Sequence, residues 1–104
     1  MENRNEKIQE ALRTTAAEFL AREAGRQSLI TVTNTVVSSD GRRGMVYITV
    51  LPTSDEGSAV KFANRNRTEL AAFFKKRIKG IQFPHVEFAI DLGEKNRQRL
   101  DEIS

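Results

Sequence analysis

His85 is the only imidazole in this chain of 104 residues, and there is no cysteine. A single imidazole between Pro84 and Val86 has no second metal ligand or nucleophile at recognisable spacing, so it reads as a surface or strand-edge residue. Asp40, Asp55 and Asp91 fall in expected turns and caps, where an aspartate binds nearby backbone amides. The glycines form neither the dinucleotide-binding fingerprint nor a phosphate-binding Walker loop. The sequence therefore predicts no catalytic residue, no metal ligand set and no cofactor: the chain is not expected to be an enzyme.

The residues able to bind something are basic. Lys61, Arg65, Arg67, Lys75, Lys76, Arg77 and Lys79 crowd into positions 57–80 against the single acid Glu69, a charge of +6 in a chain whose net charge is +3. Everything else is therefore net acidic. Charge gathered on one face is the electrostatic footprint of a polyanion-binding surface. Arg65 and Arg67 flank an expected helix start, where free amides and the positive dipole end attract phosphate. Lys75, Lys76 and Lys79 prolong the strip on the side away from Phe73, Phe74 and Ile78. Arg42 and Arg43, at an expected hairpin tip, are further candidates for phosphate contact. The plainer reading of all these residues is a solvated charged face. Aromatic residues are 7% of the chain, and no strand carries a ribonucleoprotein-type aromatic motif. Recognition of backbone and shape, rather than base stacking, is the mode expected.

The elements that must position this strip follow from periodicity. Ile8, Ala11, Leu12, Thr15, Ala16, Phe19 and Leu20 recur at helical spacing and predict a helix from about Asn5 to Ala24, closed by Gly25. Residues 28–37 and 45–51 are rich in β-branched side chains and predict two strands joined through Asp40-Gly41, a hairpin signal. In the first, Ile30, Val32, Asn34 and Val36 are expected on one face. In the second, Val46, Ile48 and Val50 alternate with Met45, Tyr47, Thr49 and Leu51. Pro52 ends that strand, and Thr53 with Glu56 has the spacing of a capping box. The basic segment then reads as helix, joint, helix, with the joint at Asn64 to Thr68 and Asn66 or Thr68 capping the second half. Gly80 closes it. Val86, Phe88 and Ile90 share one face of a third strand, and Glu94 to Ile103 predicts a short charged C-terminal helix.

The length is that of one domain, spanning 1–104, that can bury a core without covalent staples. A polar N-terminus and the absence of an 18-residue apolar run predict neither a signal peptide nor a membrane span. A hairpin followed by a helical crossover to a third strand gives an α+β fold: a three-stranded sheet with helices on one face.

Element order and several short matches resemble the ribosome-binding factor A family. The matching residues are Thr31-Val32-Thr33, Val36-Val37-Ser38-Ser39-Asp40, Val46-Tyr47-Ile48-Thr49-Val50-Leu51, Pro84-His85-Val86-Glu87-Phe88 with Asp91, and Arg99-Leu100. The resemblance covers about residues 4 to 103. It implies a type II KH-like domain, α-β-β-α-kink-α-β, whose kink bears an Ala-x-Gly signature. Ala63-Asn64-Arg65 stands at that place, with arginine where the family has glycine. It further implies a cytoplasmic, non-catalytic assembly factor that binds the small (30S) ribosomal subunit through 16S rRNA and assists its maturation; nothing in the sequence demands more than a monomer, which is the state expected. An alternative from charge alone is a protein–protein adaptor whose basic face meets an acidic partner without RNA.

Overall fold

A computed structural model describes residues 2–23 and 28–94 of the chain. Helix α1 spans Glu2–Glu23, strand β1 Leu29–Val37 and strand β2 Arg43–Leu51. A short 3-10 turn, Thr53–Asp55, leads into α2, Glu56–Arg65; then come α3, Arg67–Arg77, and β3, His85–Ile90. The sheet order is β1-β2-β3, with β1 antiparallel and β3 parallel to β2. The helical crossover between β2 and β3 makes the parallel pairing, and the α+β, KH-like order expected from the sequence is the observed one. The C-terminal helix expected over 94–103 lies outside the described residues beyond its first position; helical residues begin at Leu92. Ala24, Gly25 and the Arg99-Leu100 match also lie outside them.

The core sits between the sheet and the helices. Leu12, Ala16, Leu70, Phe74, Val46 and Ile48 are fully buried, with Ile8, Phe19, Leu20, Val50, Val86 and Phe88 nearly so. The apolar sets of α1, β2 and β3 are those the periodicity predicts. Burying each such side chain contributes about 1.5–3 kcal/mol relative to exposure. The other sheet face is open to solvent, leaving Leu29, Val36 and Leu51 exposed.

Strand β1 departs from simple alternation. Its register against β2 shifts between Val32 and Asn34. The extra residue of this bulge puts Thr33 and Asn34 on the same side and reverses the pattern beyond it. Consequently Val37 and Thr35 are buried while Val36 is exposed. The face expected to unite Ile30, Val32, Asn34 and Val36 is thus wrong for its second half. Thr33 is used at the bulge: its hydroxyl donates to Asp91 Oδ2, and Asp91 Oδ1 accepts from the Glu94 amide.

Two further expectations are corrected. The capping box at Thr53 and Glu56 does not form: residues 53–55 make the 3-10 turn, and neither Pro52 nor Asp55 caps a helix with its side chain. Asp55 instead accepts from the Ser28 hydroxyl at 2.6 Å, tying the turn to the start of β1. And α3 ends at Arg77, not at Gly80. Ile78 is already extended, and Gly80, with φ of 82°, turns the chain toward β3.

Candidate nucleic-acid interface

The joint between α2 and α3 is a single residue, Asn66, with φ −99° and ψ 19°. It is at the capping position expected, but its side chain works in the opposite direction. Asn66 Nδ2 donates to the Phe62 carbonyl at 2.8 Å, and its amide contacts the carbonyls of Phe62 and Ala63. It thus closes the C-terminus of α2 and makes no side-chain cap on α3. The first-turn amides of α3 keep their donor capacity, as anion binding at a helix start requires.

The joint is also fastened to the sheet. Its neighbour Asn64 accepts the Phe88 amide on Oδ1 at 3.0 Å, and Arg67 Nη1 donates to the Val86 carbonyl at 3.2 Å. Both are outward groups of β3, an edge strand, because His85 and Asp91 direct their amides to β2. An edge strand leaves a row of unpaired backbone groups that natural proteins cover. Here the joint covers them with side chains. Ala63 is buried in the core at 1% exposure. At the other edge of the sheet, Gln9 of α1 serves in the same way, its Oε1 accepting the Val37 amide.

The structure sorts the basic residues named from the sequence. Lys61, Arg65, Lys75, Lys76 and Lys79 are exposed. Lys61, Arg65 and Arg67 line, with Asn64 and Thr68, a hollow of about 610 Å³ at the joint. Arg67 shares that hollow but is half-buried and held by Val86. Arg77 is engaged with the fold as well: it bonds Glu18 of α1 at 3.0 Å and lies 4.6 Å over the Phe73 ring. Arg22 lies over the same ring at 5.5 Å, and Phe73 itself packs on Phe19. This cluster fastens α3 to α1.

Arg42 and Arg43 part company. Arg43 begins β2 and, with Met45 and Glu87, lines a depression on the open sheet face; Arg42 lines a groove with Lys7 and Lys79 on the helix side. The turn between β1 and β2 is held by Asp40, whose Oδ1 accepts from the Ser38 hydroxyl at 2.6 Å and the Arg42 amide at 3.0 Å. The Ser38 hydroxyl first, and the Arg42 amide second, hold the Asp40 carboxyl below the usual carboxylate range. Lys7 did not enter the sequence-based set, because only the packing of α1 under the hairpin brings it beside Arg42. The edge-covering role of Asn64 likewise has no signature in residue type.

Among the described residues no group of three or more His, Asp or Glu could hold a metal ion, and no helix is long and apolar enough to cross a membrane. His85 is exposed at the start of β3. What the geometry offers is cationic side chains and free helix-start amides on a rigid α+β frame.

A three-stranded sheet covered on one face by helices, with two consecutive helices meeting at a basic joint, defines a KH-like domain. The family model for ribosome-binding factor A matches residues 4–104, and the chain belongs to that family. The crystal structure of ribosome-binding factor A from Thermus thermophilus superposes with a TM-score of 0.72 at 23% identity, covering 83% of this chain and 94% of that one. A Thermus thermophilus ribosome-binding factor A model, fitted into a cryo-EM map of a 30S complex, is similar at a TM-score of 0.66 and 25% identity, with coverage of 76% and 86%. The solution structure of a Thermotoga maritima protein described as a putative ribosome-binding factor A gives 0.61 at 23% identity, with coverage of 82% and 80%. A comparison with curated proteins returns no match.

Proposed function

We propose that this protein binds the small (30S) ribosomal subunit through 16S rRNA and assists its maturation in the cytoplasm without catalysing a reaction. The observation that carries this reading is the set of exposed cations on α2, on α3 and just beyond it, Lys61, Arg65, Lys75, Lys76 and Lys79, in a member of this family. The relative fitted into a 30S complex supports it. Phosphate contact, not base readout, is the chemistry such side chains perform. Arg67 and Arg77 act mainly by fixing the joint and α3, so that the exposed cations present a constant geometry to the RNA.

Sedimentation of cell extract through a sucrose gradient tests the reading. At low salt the protein is expected to travel with free small subunits and to return to the top of the gradient as salt rises. Association that survives complete RNA digestion with unchanged stoichiometry would instead support a protein–protein adaptor. Recovery only at the top of the gradient at low salt would contradict subunit binding.

A further inference from the structure

The C-terminal end of α3 carries a second basic surface. A groove of about 1120 Å³ opens among the first turns of α1, the β1–β2 turn and the α3–β3 connection. Lys7, Arg42 and Lys79 line it from those three elements, with Gln82 and His85 beside them.

Packing brings these distant residues together. Ile8 Cδ1 lies 3.4 Å from where a Cβ on Gly41 would sit, and Leu12 Cδ2 lies 3.1 Å from the corresponding position on Gly44. α1 is therefore seated directly under the hairpin. Phe83 packs edge-on against Phe74 at 5.2 Å and fixes the α3–β3 connection. The chain reversals on either side of the groove turn at Gly41 and Gly80, with φ of 75° and 82°. That backbone conformation favours glycine and lets the adjacent Arg42 and Lys79 converge.

None of Lys7, Arg42 or Lys79 forms an ion pair with a described residue, whereas Arg13 pairs with Glu10 and Arg77 with Glu18. The one carboxylate in the lining, Asp40, is taken up by Ser38 and the Arg42 amide. Three cations against one anion leave a positive groove. Its volume exceeds the range of about 300–1,000 Å³ typical of small-molecule clefts, and long flexible cations at its rim suit an extended polyanion.

We propose that this groove is a second RNA-backbone site, holding phosphodiester through Lys7, Arg42 and Lys79. The proposal rests on the small-subunit reading above. The eleven residues of α3 put the joint and the groove about 16 Å apart, so a single RNA strand following α3 can reach both.

The test is a salt titration of binding by the full chain, with purified small subunits and with protein-free 16S rRNA as probes. It compares wild type with a Lys7→Gln, Arg42→Gln, Lys79→Gln variant and with a helix variant, Lys61→Gln, Arg65→Gln, Lys75→Gln, Lys76→Gln, that removes exposed cations of α2 and α3 outside the groove. Each phosphate contact contributes about 0.7–0.9 to the slope of log K against log salt. The groove variant is expected to lower that slope by about two to three on both probes at an unchanged thermal midpoint. A wild-type slope for the groove variant, with loss confined to the helix variant, would overturn the groove and leave the subunit reading standing. Loss on subunits but not on protein-free rRNA would overturn it in favour of an acidic protein patch. A wild-type protein whose binding ignores salt would overturn both. Gln82→Glu adds a negative charge to the groove without removing any of its cations. It is expected to weaken both probes in the same direction, and wild-type affinity in that variant would also overturn the proposal.

Discussion

At the N-terminal end of α3, Arg67 donates to the Val86 carbonyl and Asn64 accepts from the Phe88 amide. At its C-terminal end, Lys79 and Arg42 face a groove and pair with no described acid. Both ends are basic, yet at one Asn64 and Arg67 close a sheet edge, while at the other Arg77 is paired with Glu18 and Lys79 and Arg42 beyond it form no ion pair with a described residue. A count of charges along the chain treats the two alike. What separates them is which backbone groups lie within reach: the open edge of β3 runs past the joint and engages its side chains there. The cationic residues of this protein therefore divide into those that hold the frame and those that stay exposed without a described partner.

The largest expected effect comes from weakening both ends at once. Phe74 is fully buried and anchors α3 between them, so Phe74→Ala is expected to cost about 3–5 kcal/mol, read as a lower midpoint in denaturant titration. A loss below about 1 kcal/mol would mean that α3 is not the rigid spacer described.

Gly44→Ala addresses the seat of α1 under the hairpin, from which Lys7 reaches the groove. The added methyl meets Leu12 at 3.1 Å and Pro84 at 3.4 Å, and overpacking of this kind costs about 1–3 kcal/mol. Lifting α1 should displace Lys7, lowering the salt slope of binding while the contribution of the joint persists. An unchanged midpoint would show that α1 is not seated as tightly as the geometry indicates.

Arg67→Gln set beside Arg65→Gln sharpens the division at the joint. Arg67→Gln removes a charged hydrogen bond to a strand-edge carbonyl and is expected to cost about 1.5 kcal/mol by thermal or chemical denaturation. Arg65→Gln should leave stability within about 0.5 kcal/mol and lower the salt slope by about one contact. If the two variants behaved alike in both measurements, the division would be wrong.

The smallest effect is at the hairpin turn. Asp40 has its pKa lowered by the Ser38 hydroxyl and the Arg42 amide, so its carboxylate form favours the folded turn. That contribution is complete above the ordinary aspartate value of about 3.9 and is lost as pH falls through the lowered value. Asp40→Asn should remove this part of the acid dependence of stability. An acid-unfolding profile identical to that of wild type would contradict it.

Much of the frame was legible because its signals are local. The helical stripes of α1 and α3, the alternation of β2 and β3 and the Asp-Gly turn each occupy a few consecutive residues, as does the joint, where Asn64 to Thr68 interrupts the stripe. The bulge at Thr33 was not legible, since a β-branched run continues through it and the reversal shows only against β2. Nor was the true cap at Asn66: residue type predicts a cap but not which helix end it closes. For the candidate surface, the density of charge over 57–80 is legible in the sequence. The division of Arg67 from Arg65, and of Arg42 from Arg43, depends on β3 and α1 arriving from elsewhere in the chain. Lys7 belongs with Arg42 and Lys79 only through the contact of Ile8 with the hairpin, which no spacing records.

The most direct test is the affinity of purified small subunits for the Lys61→Gln, Arg65→Gln, Lys75→Gln, Lys76→Gln variant, measured from low to moderate salt beside wild type. The account predicts a slope of log K against log salt shallower by about three, weaker binding at low salt, and a thermal midpoint unchanged. Wild-type affinity and wild-type slope at matched salt would contradict it.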